Sequence, residues 1–227
     1  ESTLASQIDK LELDSNLKIS YQAGKAEVKL RLKINSNRLK RDRKEEIINE
    51  AARKIHKYFE EYLYGEGQQN ILDKLHLLLK NKKLTISTAE SFTGGLIAQR
   101  LTQKPGSSEY FWGSIVAYNK KIKQKLLNIE ERFLDDYGIV SKECAAKMAE
   151  NAAEIFDSDL TIATTGAAGP SPHNGKNAGT MFVAVSYKNN IKSYKLTKNY
   201  GRNLNKYYAS QIALFKVYKL IKESEEK

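Results

Sequence analysis

Leu84-Thr85-Ile86-Ser87-Thr88-Ala89-Glu90-Ser91-Phe92-Thr93-Gly94-Gly95-Leu96-Ile97-Ala98-Gln99-Arg100-Leu101-Thr102 is the stretch on which the fold turns. Residues 84–88 read as a short strand and 93–102 as a helix, with small residues and a glycine pair making the turn between them. The same strand–helix alternation continues downstream. Strands are expected at 113–118, 160–164, 180–187 and 191–196, and helices at 70–81, from 122 onward, at 141–156 with Ser141 as cap, and at 203–222. Strands alternating with helices predict an α/β sheet covered on both faces. Asn189-Asn190 joins the last two strands as a hairpin, so the sheet is expected to be mixed.

Upstream of this unit the pattern is different. Residues 2–10 read as a short helix capped by Ser2. Two period-two runs, 17–21 and 26–34, flank a Gly24-Lys25 turn and predict a hairpin. Ile47, Ile48, Ala51, Ile55, Tyr58, Phe59 and Tyr62 then fall on one helical stripe within 44–62. Tyr64-Gly65-Glu66-Gly67 interrupts the periodicity. The expected domains are therefore a small α+β unit over 1–66 and an α/β unit over 67–227.

The composition narrows the choice of class. With 227 residues, 41% of them hydrophobic, the chain can bury a core, which excludes wholesale disorder. No stretch approaches the 18 or so consecutive apolar residues of a membrane span, so no membrane partner is expected. The single cysteine, Cys144, cannot close an internal disulfide and points to a reducing, cytoplasmic setting. A chain beginning at Glu1 reads as one from which upstream sequence is missing. Lysines and arginines exceed acidic residues by 38 − 27 = 11, a balance that suits anionic ligands. The densest basic run, 38–44, is followed at once by Glu45 and Glu46 and holds no aromatic to stack on bases. It reads as a solvated loop leading into a helix rather than a nucleic-acid contact.

Three loops are candidates for chemistry. The first is 88–95, where small residues at a helix start can leave N–H groups for an anion or oxyanion, or can simply make a tight turn. The second is Lys104-Pro105-Gly106-Ser107-Ser108. The third is Thr164-Thr165-Gly166-Ala167-Ala168-Gly169-Pro170-Ser171-Pro172, whose small residues allow a ligand close to the backbone. The three histidines, His56, His76 and His173, form no recognisable triad with a serine. A lysine desolvated in a pocket can act as the base instead, and Lys120, Lys121 and Lys123 follow an expected strand end. No cluster has metal-ligand spacing, and neither a metal nor a cofactor is expected.

Taken together, residues 88–96, Pro105-Gly106-Ser107-Ser108, Tyr118 with Lys123, Tyr137-Gly138-Ile139-Val140-Ser141 and Thr165-Gly166-Ala167-Ala168-Gly169-Pro170 resemble, in order and spacing, the C-terminal domain of the CinA family, the nicotinamide mononucleotide deamidase (PncC-like) domain. Residues 2–66 resemble the family's small KH-like linker, and Glu1-Ser2-Thr3-Leu4 resembles the segment after its N-terminal molybdopterin-binding-like domain, so the chain is expected to be a CinA-type protein without that first domain, by trimming or by nature. The resemblance implies a three-layer α/β/α sandwich with a mixed sheet, a homodimer, and hydrolysis of nicotinamide mononucleotide to nicotinate mononucleotide and ammonia. It also implies the site residues. Ser108 with Lys123 is the expected core pair, with Ser91 beside it in the relay and Tyr118 near by. Thr93, Gly94, Gly95, Thr165, Gly166 and Arg202 are expected to bind substrate. Which serine attacks is left open.

The chain departs from the family pattern in places. Phe92 stands where the family usually has cysteine, and Ser171-Pro172-His173-Asn174-Gly175 replaces a glycine-rich stretch. Asn203 and Tyr207 stand where two arginines open the family's last helix, with Arg202 one residue away. These departures raise the alternative of a nucleotide-binding relative without turnover. Nucleic-acid binding by the KH-like unit is disfavoured, because residues 35–46 hold no glycine for a Gly-x-x-Gly loop.

Overall fold

The computed structural model describes residues 2–188 and 190–225; the capping side chain of Ser2 and Asn189 of the expected turn lie outside the described residues. The chain divides into two compact units, Glu1–Gly65 and Glu66–Lys227.

The first unit contains α1 (Ser2–Ile8), a hairpin of β1 (Leu17–Ala23) and β2 (Val28–Ile34), and α2 (Arg41–Tyr58). The strands pair antiparallel from Leu17 opposite Ile34 to Ala23 opposite Val28. Alternation along both strands sends Ile19, Tyr21, Leu30 and Leu32 against Ile8, Ile55 and Phe59, which form the unit's small core. Helix α2 starts three residues earlier than the apolar stripe suggests, so part of the basic run lies in its first turn. Arg41 and Arg43 are there paired with Glu45 and Glu46, at 2.9 and 2.6 Å. These are exposed helix-face ion pairs, screened by solvent and of little weight in the stability of the unit.

The second unit holds α3 (Ile71–Lys82), β3 (Ile86–Glu90), α4 (Leu96–Leu101), β4 (Phe111–Val116), α5 (Lys120–Leu127), α6 (Glu131–Tyr137), α7 (Lys142–Phe156), β5 (Leu160–Gly166), β6 (Thr180–Tyr187), β7 (Asn190–Thr197) and α8 (Arg202–Glu223). The sheet order is β4-β3-β5-β6-β7. Strands β4, β3 and β5 run parallel, and β6 and β7 are antiparallel additions. The sheet is mixed and lies between two helical layers, with α7 on one face and α4 and α8 on the other. The central strands β3, β5 and β6 are buried along their whole length, as expected for strands covered on both sides. The α7 face packs Ala89, Ala163 and Ala184 against Cys144, Ala145, Met148 and Ala149. Small side chains on both surfaces let this helix lie close to the sheet.

Local signals explain the element ends. The Ser141 hydroxyl accepts the Cys144 N–H at 3.0 Å and starts α7 as the sequence suggests. Asn70 and Asp73 form a reciprocal capping box on α3. Helix α6 was not expected; Glu130, at its N-cap, makes no side-chain capping bond.

Parallel pairing fixes the site. The carboxyl ends of β3, β4 and β5 lie at one edge of the sheet, so the segments that follow Glu90, Val116 and Gly166 converge there.

Candidate active site

Ser91 is the first residue past β3. Its N–H donates to the Thr164 carbonyl at 3.0 Å, and Ala117 N–H donates to the Glu90 carbonyl at 2.8 Å, so the ladder extends one step beyond the strands. Alternation sends the Ser91 side chain to the face that Ala89 shares with α5 and α7. Lys123 waits there. Asn119 caps α5 by accepting the Lys121 N–H at 2.9 Å, and Lys123 then sits one turn into the helix, with only 1% of its surface exposed. Its Nζ donates to the Ser91 Oγ at 2.9 Å and to the Ala117 carbonyl at 2.6 Å.

Among the described residues, no carboxylate partners this ammonium. Burial lowers the Lys123 pKa below the ordinary lysine range. The same burial pushes the neighbouring Cys144 thiol up to about 11, which keeps it a neutral thiol at physiological pH. The structure thus separates three lysines that spacing alone cannot rank. Lys120 is drawn outward to Glu131 and Asp135, at 3.1 and 2.5 Å. Lys121 gives its backbone N–H to the cap, and Lys123 alone of the three lines the cavity.

That cavity has a volume of about 260 Å³ and opens from Ser91 and Lys123 past Phe92, Ile139 and Val140 to a rim of Tyr118, Gly169, Pro170, His173 and Arg202. Two side chains of its lining, Lys123 and Arg202, are of the cationic type, and none is a carboxylate. Arg202, the first residue of α8, donates to the Gly169 carbonyl at 2.9 Å and to the Tyr118 hydroxyl. The position one residue before Asn203 therefore supplies the rim cation. Asn203 is exposed, while Tyr207 lies under the Arg100 guanidinium at 4.8 Å. Phe92 is accommodated because Gly166 has no side chain: a Cβ there would meet the Phe92 ring at 3.1 Å and the Thr180 carbonyl at 3.0 Å.

Of the expected site residues, the structure brings together Ser91, Lys123, Tyr118, Gly166 and Arg202. Thr93 and Thr165 stand behind the wall. Thr93 Oγ1 bonds Thr164 Oγ1 at 2.7 Å, and Thr165 Oγ1 donates to the Ile139 carbonyl at 2.5 Å. Both are nearly fully buried, and they tie the site loops together rather than face a ligand.

Gly94 and Gly95 likewise do not present free N–H groups. Gly94 donates back to the Ser91 carbonyl at 3.0 Å, and the Gly95 N–H is taken at 3.0 Å by the Glu90 carboxylate. Glu90 also receives the N–H groups of Ile97 and Ala98, at 3.1 and 2.8 Å. The helix start expected to hold an anion already holds one, supplied by the chain itself. Both glycines have positive φ, 65° and 89°, and this left-handed pair folds the helix start back onto Glu90.

Ser108 is the clear correction. It is an exposed residue of the short 3₁₀ turn Ser107–Glu109 that precedes β4. Lys123 follows the other end of that strand. Six strand residues at about 3.3 Å each separate the two ends of β4, so Ser108 and Lys123 are at opposite edges of the sheet. The loop 104–108 enters a strand, whereas sites of this architecture form where strands end.

Two further residues shape the site without having been singled out. Glu90 is one; a carboxylate ending a wholly buried strand was its visible signal. Asn205 is the other. Fully buried, it donates to the Ala168 carbonyl at 2.9 Å and accepts the Tyr200 N–H at 2.9 Å. No sequence pattern pointed to it. Among the described residues no group of His, Cys, Asp and Glu side chains is arranged to hold a metal ion, and no helix is long and apolar enough to cross a membrane.

With this geometry in view, the comparisons with known proteins are direct. The family model for the CinA C-terminal domain matches residues 68–221, and that for the damage-inducible protein CinA KH domain matches 1–65. The chain belongs to the CinA family. A CinA-like protein of Prochlorococcus marinus is 38% identical over 205 residues, covering 88% of this chain and 47% of the relative. One from Dictyoglomus thermophilum is 34% identical over 207 residues, covering 91% and 50%. The chain spans about half the length of the curated relatives it matches. Among solved structures, a CinA superfamily protein of Escherichia coli aligns with a TM-score of 0.64 at 27% identity, over 71% of this chain and 98% of that one. A competence/damage inducible protein of Agrobacterium tumefaciens aligns at 0.62 and 28%, over 69% and 99%.

Proposed function

We propose that this CinA-family chain is a serine–lysine amidohydrolase that deamidates nicotinamide mononucleotide to the nicotinate nucleotide and ammonia. The observation that carries the reading is the Ser91–Lys123 pair, 2.9 Å apart at the base of a cavity without carboxylates. Burial favours the neutral form of Lys123 over the charged one, and the free amine can accept the serine proton. In the proposed reaction the Ser91 oxygen attacks the carboxamide carbon as its proton passes to Lys123. The C–N bond then breaks, and Lys123 returns the proton to the departing ammonia. Water attacks the acyl-serine, gives a proton to Lys123, and restores the Ser91 hydroxyl as the carboxylate leaves. The N–H groups of Phe92 and Thr93, engaged by no hydrogen bond among the described residues, are the candidate oxyanion donors. Tyr118 and Arg202 at the rim are the candidate contacts for the rest of the nucleotide.

Purified protein is expected to release ammonia from nicotinamide mononucleotide, with the activity lost in Ser91→Ala and in Lys123→Ala. Calorimetric binding of the nucleotide with no release at high enzyme concentration would replace this reading with a nucleotide-binding one.

A further inference from the structure

The deep end of the cavity holds the serine and the lysine, so a carboxamide seated there points the other end of its molecule toward the rim. The donor side chains at that rim are Tyr118, Ser171, His173 and Arg202. Arg202 is partly committed, to Gly169 and Tyr118. His173 stands on the long loop between β5 and β6, and its backbone is held there. His173 N–H donates to the Lys176 carbonyl at 2.9 Å, and Lys176 N–H returns the bond at 3.0 Å. The tip of this two-way bridge is Asn174-Gly175, with φ of 50° and 68°. Asn174 Oδ1 fills the space beside Gly138, 2.8 Å from where a Cβ would stand. His173 is thus carried on a braced miniature hairpin among the residues that line a cavity with cationic groups and no carboxylate.

We infer that His173 is a specificity-determining residue, which together with Arg202 receives the anionic phosphate end of a phosphorylated ribosyl carboxamide. The inference rests on the amidase reading for the direction in which substrate enters. An imidazole N–H and a guanidinium can donate to different oxygens of one phosphate. Because the hairpin is already braced, little ordering entropy is lost when the anion arrives. The site then prefers the nucleotide over the corresponding riboside by a contact that the riboside cannot make.

The test compares wild type, His173→Ala and His173→Gln. Ammonia release is measured on nicotinamide mononucleotide and on its dephosphorylated riboside, and ribose 5-phosphate binding is measured by calorimetry. In His173→Ala the ratio of kcat/KM for nucleotide over riboside should fall about tenfold, mainly through KM, and ribose 5-phosphate should bind about tenfold more weakly. His173→Gln, which keeps a side-chain N–H, should recover part of both. Equal losses on the two substrates, an unchanged ratio, or a wild type that does not bind ribose 5-phosphate would each overturn the inference. If ribose 5-phosphate affinity depends on His173 while no protein releases ammonia, the amidase reading fails and the anion-binding role stands.

Discussion

Glu90 and Ser91 are neighbours in the chain, yet their side chains serve opposite faces of the sheet. The carboxylate takes the N–H groups of Gly95, Ile97 and Ala98 on the α4 side, and the hydroxyl meets the Lys123 Nζ on the α5 side. The period of two in an extended chain does this without a special loop. It also couples the two jobs, because the residue that ties down the turn is one bond from the proposed nucleophile.

Glu90→Gln should therefore damage more than one contact. Glutamine keeps one acceptor oxygen but turns two donors toward N–H groups that need acceptors. Charge-assisted bonds of this kind are worth roughly 1.5–3 kcal/mol, and Glu90 is fully buried. The expected cost is about 2–4 kcal/mol of folding stability, read from urea unfolding. At temperatures where the variant stays folded, kcat should fall more than KM rises.

Lys123 carries a prediction of opposite sign for stability and activity. Its folded pKa lies below its unfolded one, so between the two values the unfolded chain binds more protons. Stability must then rise with pH through that window, and the penalty is fully present below it. Lys123→Met removes the penalty. The variant should unfold at higher urea than wild type at pH 7, with the gap narrowing toward pH 10, while ammonia release is abolished. A variant less stable than wild type at pH 7 would contradict the assigned cause.

The same shift governs the pH–rate profile. If the neutral amine of Lys123 is the base, kcat/KM should climb with pH and level off at an inflection below the ordinary lysine value near 10.4. Cys144, pushed up to about 11, adds no thiolate in that range. Cys144→Ala should leave the inflection on the acid side of the lysine value; its disappearance in that variant would assign the titration to the thiol.

Ser108→Ala tests the correction most cheaply. The side chain is exposed at the edge of the sheet where β4 begins, so ammonia release should stay within about twofold of wild type, the range expected of a surface change remote from the site. A loss comparable to that of Ser91→Ala would restore Ser108 to the mechanism.

The layered fold was legible because strand and helix periods differ and because the caps are strong. Ser141 and the 88–95 turn announce their elements in the sequence itself. Helix α6 was not legible, since the Glu130 N-cap makes no side-chain capping bond. At the site, residue types were readable but their spatial sorting was not. Lys120, Lys121 and Lys123 look alike by type and spacing, so that only the resemblance marks Lys123 in the sequence, and in the structure its burial separates it from the other two. Ser91 and Ser108 both sit in small-residue loops, and the difference lies in whether the loop leaves a strand or enters one. Thr93 and Thr165 sit in recognisable motifs for a packing reason, as hydroxyl bridges between β5 and the loops beside it. Arg202 was expected at the substrate although it stands one residue from the family position, and its place at the rim follows from the start of α8 after Gly201.

Asn205 has one more effect. By holding the Ala168 carbonyl and the Tyr200 amide together, it welds the lip of the pocket to the root of α8, one helical turn from Arg202. The guanidinium and the lip it bonds thus share one anchorage, so this end of the molecule is built as a clasp made in one piece rather than as an arm hung over a bowl.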